Sequence, residues 1–600
     1  MPAPQETADR PRGRGDAWIM TTAAAAPATS SGFADEAAYL AHVAKLREDR
    51  WPAELPRQAH YPLGEIPITD YLSRRAAANP DKTAIIFYGR EISFGDLDRL
   101  SDRFAAHLAA LGLVPGDRVA VFLPNCPQFL IAFYGILKAG CIHVPVNPMF
   151  KELELAYELN DTEAKVIVVL DQLYPLVEAV RAKTALKTVY TTAFADMAPE
   201  GEPTLPVPAG LFAAPRDCAG ADGRFMEVLA AETGPRPEHK ADLDAWAAIN
   251  YTGGTTGMPK GCIHTQRDMV YTSAASASFV SPGDETDVLL NFLPVFWIAG
   301  ENLGVLLPVF SGSTMVLLAR WDGDAVLAAI ERYRVSRGSM IMDNIVELMD
   351  RPDITARDLS SLRSMTTISF VKKLNPEFRR RWHELTGLTL RETSYGMTET
   401  HTSDTFTTGM QTDDYDLKSA PVFVGFPVPG TEVKICDFAT GELKPLGAEG
   451  EVLIRTPSLL KGYLNKPEAT EQALVDGWLR TGDIGVIEED GSFRYLGRRK
   501  EMLKVKGMSV FPSEIETLLG QHPAIAGSAV IGRPDADKGE VPVAFIRLDP
   551  DRAEGITADV LDAWCRKAMA VYKVPEIRIV DALPMTATGK VKKEELAKSL

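Results

Sequence analysis

The segment YTGGTTGMPKG, Tyr251 to Gly261, ties the alternating strands and helices around it to a definite chemistry. Gly253, Gly254 and Gly257 let the backbone turn tightly and bring its N–H groups close to an anion, because no Cβ intervenes. Thr252, Thr255 and Thr256 add hydroxyl donors, and Lys260 adds a mobile cation. The result is a cradle for phosphate oxygens. It is not a Walker A loop, which needs Gly directly before Lys and Ser or Thr after it; here Pro259 precedes Lys260 and Gly261 follows it.

Upstream of the cradle, Thr83 to Tyr88 reads as a strand turned by Gly89, followed by a helix whose apolar face carries Leu97, Leu100, Phe104, Leu108 and Leu111 at spacings of three and four. RVAVFL at Arg118 is a short β run, Phe129 to Ala139 is helical, and CIHVPVNP from Cys141 returns to strand. The alternation continues through Glu152–Leu159, Lys165–Leu170 and Leu173–Lys183, then lapses into a long Pro, Gly and Ala-rich loop from Thr192 to Asp242. Downstream it resumes at Asp287–Leu293, Ser313–Leu318, Asp324–Tyr333 and Gly338–Met349. Helices alternating with short buried strands predict sheets layered with helices.

From Pro421 the texture changes to short β runs, EVKIC and EGEVLIR, punctuated by Gly and Pro. Beyond the basic run YLGRRKEMLKVKG, Ser513 with Glu516 is expected to form a capping box opening a helix through Leu519, closed by Gly520. Strands at Gly527–Ile531, Val541–Leu548 and Ile577–Val580 and a helix from Thr557 complete a second unit. The expected fold is an α/β large N-terminal domain, with helix-layered sheets and a small β-barrel-like subdomain, and a smaller mobile α+β C-terminal domain. The expected boundaries are a disordered extension over 1–33, a large domain over 34–498 with its β-rich part at 421–497, and a C-terminal domain over 499–600. Glu36 to Arg50 reads as a surface helix.

Six hundred residues, 46% hydrophobic and 24% charged, are the composition of a globular protein of more than one domain. A formal net charge of -17 opposes general binding to nucleic acid or anionic membrane, so a polyphosphate would need locally placed donors and a divalent metal. Six scattered cysteines without a CxxC pair read as reduced thiols of a cytoplasmic protein. The N-terminal residues lack an apolar signal core. The longest apolar stretch, Leu303 to Ala319, is broken by Pro308, Ser311, Gly312 and Ser313, so no transmembrane segment is expected.

Five further segments follow the cradle in order: YGMTE at Tyr395–Glu399, GWLRTGD at Gly477–Asp483, YLGRRKEMLKVKG at Tyr495–Gly507, FPSEIE at Phe511–Glu516 and PMTATGK at Pro584–Lys590. Together with YTGGTTGMPKG they resemble the ordered motif set of the adenylate-forming superfamily, which contains acyl-CoA synthetases, peptide-synthetase adenylation domains and firefly luciferase. The resemblance spans roughly Ile68 to Leu596. It implies a two-step reaction in which a carboxylate attacks the α-phosphate of ATP to give an acyl adenylate and pyrophosphate, and a thiol, coenzyme A, then takes the acyl group. A mixed anhydride is reactive without an enzyme nucleophile, so no Ser-His-Asp or Cys-His arrangement is required.

On that resemblance Tyr395 is the aromatic that stacks on adenine, Thr398 the hydroxyl at the α-phosphate, and Glu399 the ligand of Mg²⁺. Asp483 accepts from both ribose hydroxyls, matching two acceptor oxygens to two donors, and Arg498 is the ribose or phosphate contact beside it. Lys500 is the hinge about which the small domain swings, and Lys504, Lys506 and Gly507 lie where the swung domain meets adenylate or thiol. Lys590 is the lysine bridging the acid's carboxylate and the α-phosphate, where negative charge gathers as the bond forms.

The sequence also departs from the pattern. Gly253 stands where Ser is common, and PVFWIAG carries Trp297 where acyl-CoA synthetases often have His and amino-acid-activating domains Asp. Lack of that carboxylate counts against an amino-acid substrate, and Trp297 either walls an apolar or aromatic acyl pocket or belongs to the core. TISFV at Thr367–Val371 replaces a small Gly-Gly-Ala-Pro pattern, and Ser394 replaces Gly before Tyr395. Bulkier walls at Trp297, Ile368, Phe370 and Ser394 predict a small, medium or compact aromatic carboxylic acid. Two other readings stay open: an acyl-AMP ligase serving a carrier protein or an amine, and a nucleotide-binding protein without turnover. An oligomer is possible.

Overall fold

The computed structural model describes residues 32–231, 234, 242–252, 258–418, 422–505, 508–535, 538–586 and 590–600. Among the described residues the large domain holds two mainly parallel seven-stranded sheets. One runs Arg391–Glu392, Ser364–Ile368, Arg337–Ile341, Val288–Asn291, Thr314–Leu317, Thr83–Phe87 and Arg90–Ser93; only its last pair is antiparallel. The other runs Gly223–Arg224, Thr188–Thr192, Val166–Leu170, Arg118–Phe122, Ile142–Pro145, Trp246–Tyr251 and Gly261–Thr265. It too ends in an antiparallel pair, the hairpin whose loop is the cradle. The interior strands are apolar on both faces, as strands covered by helices on both sides must be. The helix Pro127–Lys138 between the sheets is buried along its whole length and belongs to the largest apolar cluster.

A third, antiparallel sheet forms the β-rich part of the large domain, in the order Thr405–Phe406, Val422–Pro427, Phe493–Arg498, Trp478–Ile487, Gly450–Arg455 and Glu432–Cys436. The smaller C-terminal domain is built on the hairpin Ile525–Asp535 and Gly539–Leu548, flanked by Leu503–Val505, Met508–Val510 and the parallel strand Glu576–Ile579. Its helices Pro512–Leu519 and Ala558–Ala568 bury Ile515, Leu519, Leu561 and Cys565 against that sheet. Among the described residues no helix is long and apolar enough to cross a membrane.

Three local expectations are corrected. The stretch expected as an unbroken loop from Thr192 to Asp242 contains a short strand, Gly223–Arg224, and the helix Phe225–Ala230, because Phe225 and Leu229 bury themselves in the main core. The capping box at Ser513 does not form: the helix starts at Pro512, whose missing N–H suits the first turn. The Ser513 hydroxyl donates to the Leu496 carbonyl, while Glu516 accepts from Val530 N–H and pairs with Lys593. The helix Glu36–Glu48 is not simply a surface helix, since Tyr39 and Val43 are fully buried.

That helix docks on the β-rich part. Tyr39 and Val43 share a cluster with Val433, Ile435, Ile454, Phe493 and Tyr395, and Glu36 pairs with Lys434 and accepts from the Trp478 indole at 3.1 Å. Replacing Tyr39 by alanine removes a wholly enclosed aromatic ring, and the expected destabilisation is roughly 3–5 kcal/mol, read as a lower denaturant midpoint. A midpoint unchanged within error contradicts the docking.

Candidate functional site

The hairpin Trp246–Tyr251 and Gly261–Thr265 fixes the neck of the cradle: Thr252 N–H donates to Lys260 O at 3.0 Å and Lys260 N–H to the Thr252 hydroxyl at 3.2 Å. The tip, Gly253, Gly254, Thr255, Thr256 and Gly257, lies outside the described residues. Tyr251 donates to Asp161 at 2.8 Å and Tyr157 to the Pro259 carbonyl at 2.9 Å, so the helix Glu152–Thr162 grips both ends of the loop. A Cβ at Gly261 would stand 2.7 Å from Ile249 and 3.1 Å from the Tyr251 ring, which excludes larger residues there. The Lys260 ammonium lies 4.0 Å from the centre of the Tyr463 ring, and the Tyr463 hydroxyl donates to Glu399 at 2.9 Å. Cradle cation and YGMTE carboxylate thus meet across one tyrosine, a residue the motif reading missed.

Tyr395 and Asp483, 88 residues apart in sequence, meet at 2.5 Å with the phenol donating to Oδ2. The Tyr395 ring packs edge-on to Phe493 and tilted to Tyr495, with centroids at 5.4 and 5.7 Å. Strand register pairs Asp483 with Arg498, and the guanidinium comes within 2.8 Å of Oδ1. That approach lacks the alignment of a hydrogen bond, so Oδ1 keeps acceptor capacity although Asp483 is 1% exposed. Burial pushes the Asp483 carboxyl up to about 6, against the opposing pull of Arg498 and Tyr395. Burial and the neighbouring carboxylate hold the Tyr395 phenol well above its ordinary range.

From the C-terminal domain Lys590 reaches the same region. The residue is exposed, and its backbone is tied to Thr586, whose N–H donates to Lys590 O at 2.6 Å and whose hydroxyl accepts Lys590 N–H at 3.0 Å. Its ammonium lies 5.5 Å from the Trp297 ring centre and 5.7 Å from that of Phe370, two rings themselves 6.2 Å apart and tilted by 36°. Crowding by protein, and then the positive charge of Arg498, lower its pKa, while Glu501 and Asp483 oppose.

The wall beside Lys590 is fastened from behind. Ile368 ends the strand Ser364–Ile368, and the next residue, Ser369, donates its hydroxyl to Glu392. Glu392 is half-buried, and its crowding by protein pushes its carboxyl up to about 7, while Lys373 holds the Phe370 carbonyl at 2.9 Å. Val371 packs with Ala529, Phe545 and Leu583 of the C-terminal domain, so the loop that carries Phe370 also receives the small domain. Ser394 is half-buried beside it, its hydroxyl given to the Tyr395 carbonyl at 2.9 Å.

The other residues singled out in the sequence lie in the segment leading into the C-terminal domain. Lys500 is exposed on the short turn Arg499–Glu501, whose Glu501 pairs with Lys593. Lys504 is exposed on Leu503–Val505, its backbone N–H bound to Glu540 at 2.6 Å. Lys506 and Gly507 lie outside the described residues. The arrangement therefore brings an aromatic ring and a carboxylate together at Tyr395 and Asp483, a carboxylate and a lysine together across Tyr463 at Glu399 and Lys260, and a second lysine, Lys590, onto the rings of Trp297 and Phe370.

Comparison with known proteins gives the family. The profile described as AMP-binding enzyme matches residues 72–464, and that described as AMP-binding enzyme C-terminal domain matches residues 514–590. A long-chain-fatty-acid–CoA ligase of Bacillus subtilis (strain 168) is 33% identical, over 91% of this chain and 97% of its own. 4-Coumarate–CoA ligase 2 of Oryza sativa subsp. japonica is 32% identical, over 89% of this chain and 92% of its own. Among solved structures, the anthranilate CoA ligase AuaEII in complex with anthranoyl-AMP aligns with a TM-score of 0.75 at 26% identity, covering 91% of this chain and 98% of that one. The chain belongs to the AMP-binding enzyme family, in its adenylate-forming acyl-CoA synthetase branch.

Proposed function

We propose that the protein activates a carboxylic acid with ATP and passes the acyl group to coenzyme A. The observation that carries this reading is the convergence of Tyr395, Asp483 and Arg498 with Lys590 at the mouth of the Trp297–Phe370 slot. In the first step an oxygen of the acid attacks the α-phosphorus of ATP; the bond to the bridging oxygen breaks and pyrophosphate leaves. In the second the sulfur of coenzyme A attacks the acyl carbonyl, AMP leaves, and the thiol proton passes to solvent.

In this scheme the Tyr395 face receives adenine and Asp483 Oδ1 and Oδ2 receive the ribose diol, with Tyr395 yielding its bond to the ligand. Arg498 and Lys260 offset phosphate charge. Lys590 lies where acid and α-phosphate would meet, two anions whose approach favours its charged form and stabilises the charge that builds as they join. Glu399 fits a hard cation: one oxygen accepts from Tyr463 while the residue stays half-exposed at the cradle neck. Mg²⁺ held there would neutralise polyphosphate charge. Lys500 would be the pivot between a domain ending near Arg498 and a C-terminal domain over 499–600, and Lys504 with Lys506 and Gly507 would face the site after the swing.

The tilted rings of Trp297 and Phe370, with Ile368 and Ser394, favour a compact or aromatic acid. Relatives named for long-chain fatty acids and for 4-coumarate are equally similar, so the walls and not the identities support the choice. Pyrophosphate and AMP release over a panel of acids, with and without coenzyme A, tests both levels. AMP formation requiring acid and accelerated by the thiol is expected, with compact acids preferred. Trp297→Ala should shift preference toward longer acids, and saturation of the unaltered enzyme by a palmitate-length acid at low KM would contradict the compact slot.

A further inference from the structure

Beneath the Thr398–Glu399 turn lies a chain of buried ionisable side chains that the scheme above does not use. His264 stands on the strand Gly261–Thr265, four residues after Lys260. Its Nε2 is 2.7 Å from the Thr398 carbonyl, and because a carbonyl only accepts, the ring must donate there. Nδ1 lies 3.2 Å from Asp268 Oδ2, to which it donates when the ring carries its second proton. Asp268 also accepts Thr265 N–H at 2.9 Å and, on its other oxygen, the Lys461 ammonium at 2.8 Å. The residue before Lys461, Leu460, donates its N–H to the Glu399 carbonyl at 2.8 Å. Two successive carbonyls of the turn are therefore gripped by one connected set of residues.

A second layer braces the first. The His401 ring packs edge-on to His264 with centroids at 4.8 Å, and its Nε2 lies 3.6 Å from Glu301, which accepts from Asn250 at 2.9 Å. His264, Asp268, Glu301 and His401 are each 0% exposed. Between Glu399 and this layer the chain runs through His401, Thr402 and Ser403 with φ of +57°, +64° and +60°, three successive L-residues in the left-handed region. Ser403 is pinned there by Asn302 at 3.1 Å and Ser276 at 3.0 Å. Apolar residues of equal volume would fill such a core without the cost of burying charge. Strain held in place beside a working turn is characteristic of a functional constraint.

We propose that the His264–Asp268–Lys461 relay, braced by His401 and Glu301, is a positioning device that holds Thr398 and Glu399 against the polyphosphate, and that it serves acyl adenylate formation alone. The inference rests on the ligase reading. Pyrophosphate and its neutralising cation take part only in the first half-reaction, so a fault in this turn should spare thioester formation from a supplied acyl adenylate. His264→Leu is expected to lower adenylation about 10–100-fold and to raise the Mg²⁺ and ATP needed for half-maximal rate, as loss of a group behind a ligand does. His264→Gln, whose amide can still donate to the Thr398 carbonyl, should recover most of that loss. Thioester formation from added acyl adenylate should stay within about twofold in both variants.

Lys461→Met, at the solvent end of the relay, should act in the same direction and carries the test if His264→Leu fails to fold. The proposal is overturned if the folded variant adenylates normally, if both half-reactions fall together, or if His264→Gln is as poor as His264→Leu. Unaltered protein that releases no AMP with any acid would instead sink the ligase reading, and this inference with it.

Discussion

Replacing Lys590 by alanine will lower acyl adenylate formation about 10²–10³-fold, the usual cost of removing one preorganised group from a developing anion, and will leave conversion of added acyl adenylate to thioester largely intact. The asymmetry follows from where the ammonium sits. It lies over the Trp297 and Phe370 rings, and crowding and Arg498 make its charge less favourable than that of a free lysine. Two anions arriving together, a carboxylate and an α-phosphate, supply the missing counter-charge and gain most from it. Once the adenylate exists that charge has dispersed, and a thiol attacks from outside. Lys590→Arg keeps a cation but not its compact shape and should recover only part of the rate. Rapid-quench assays of the two half-reactions separate the outcomes, and equal loss in both would refute the assignment.

Asp483→Ala is expected to be nearly as damaging, and through ATP binding instead. Two hydrogen bonds from a ribose diol to a buried carboxylate are worth about 1.5–3 kcal/mol each, which together amount to a fall of about 10²–10⁴ in kcat/KM for ATP. Loss of the carboxylate also strands the Tyr395 phenol and the Arg498 guanidinium. The carboxyl adds a pH dependence of known sign. Its pKa rises from an ordinary 3.8 to about 6 in the folded protein because burial disfavours the charge. A raised acid binds protons more tightly when folded, so its contribution to stability is present below 3.8 and is lost as pH rises through about 6. Affinity for the diol needs the carboxylate, so KM for ATP should fall over the same interval. Asp483→Asn should flatten both curves, and urea midpoints with ATP titrations at pH 4.5 and 7 would show whether it does.

Much of the architecture was legible because its signals are local. The helix Phe94–Ala110 has its stripe of Leu97, Phe104 and Leu108, and Thr83–Phe87 and Arg118–Phe122 are short apolar runs ended by turns. What sequence reading missed is decided by distant partners. Tyr39 looks like a residue on an isolated amphipathic helix until the strands near 433 and 493 are folded against it. Ser513 and Glu516 carry a capping signature, yet the Leu496 carbonyl, Val530 N–H and Lys593 claim them.

The candidate site divides in the same way. Tyr395, Asp483 and Lys590 stand in recognisable motifs, and the fold brings them to one region. Tyr463 stands in none of the six motifs, and the bridge between Cys262 and Tyr463 helps to set its hydroxyl on Glu399. His264 sits in a strand whose five residues are all buried, where a polar side chain gives no hint of its partner. The one signal is that a histidine inside an apolar strand requires a hydrogen-bonding partner.

Whether these separated segments hold one nucleotide against one acid is measured most directly by a crystal structure of the protein with its acyl adenylate bound. The expected density has the adenine on the Tyr395 ring, both ribose hydroxyls within hydrogen-bond distance of Asp483, the phosphate between Thr398 and Lys590, and the acyl group between Trp297 and Phe370. Density for the adenylate anywhere else, or Lys590 turned away from its phosphate with the small domain in the present position, would contradict it.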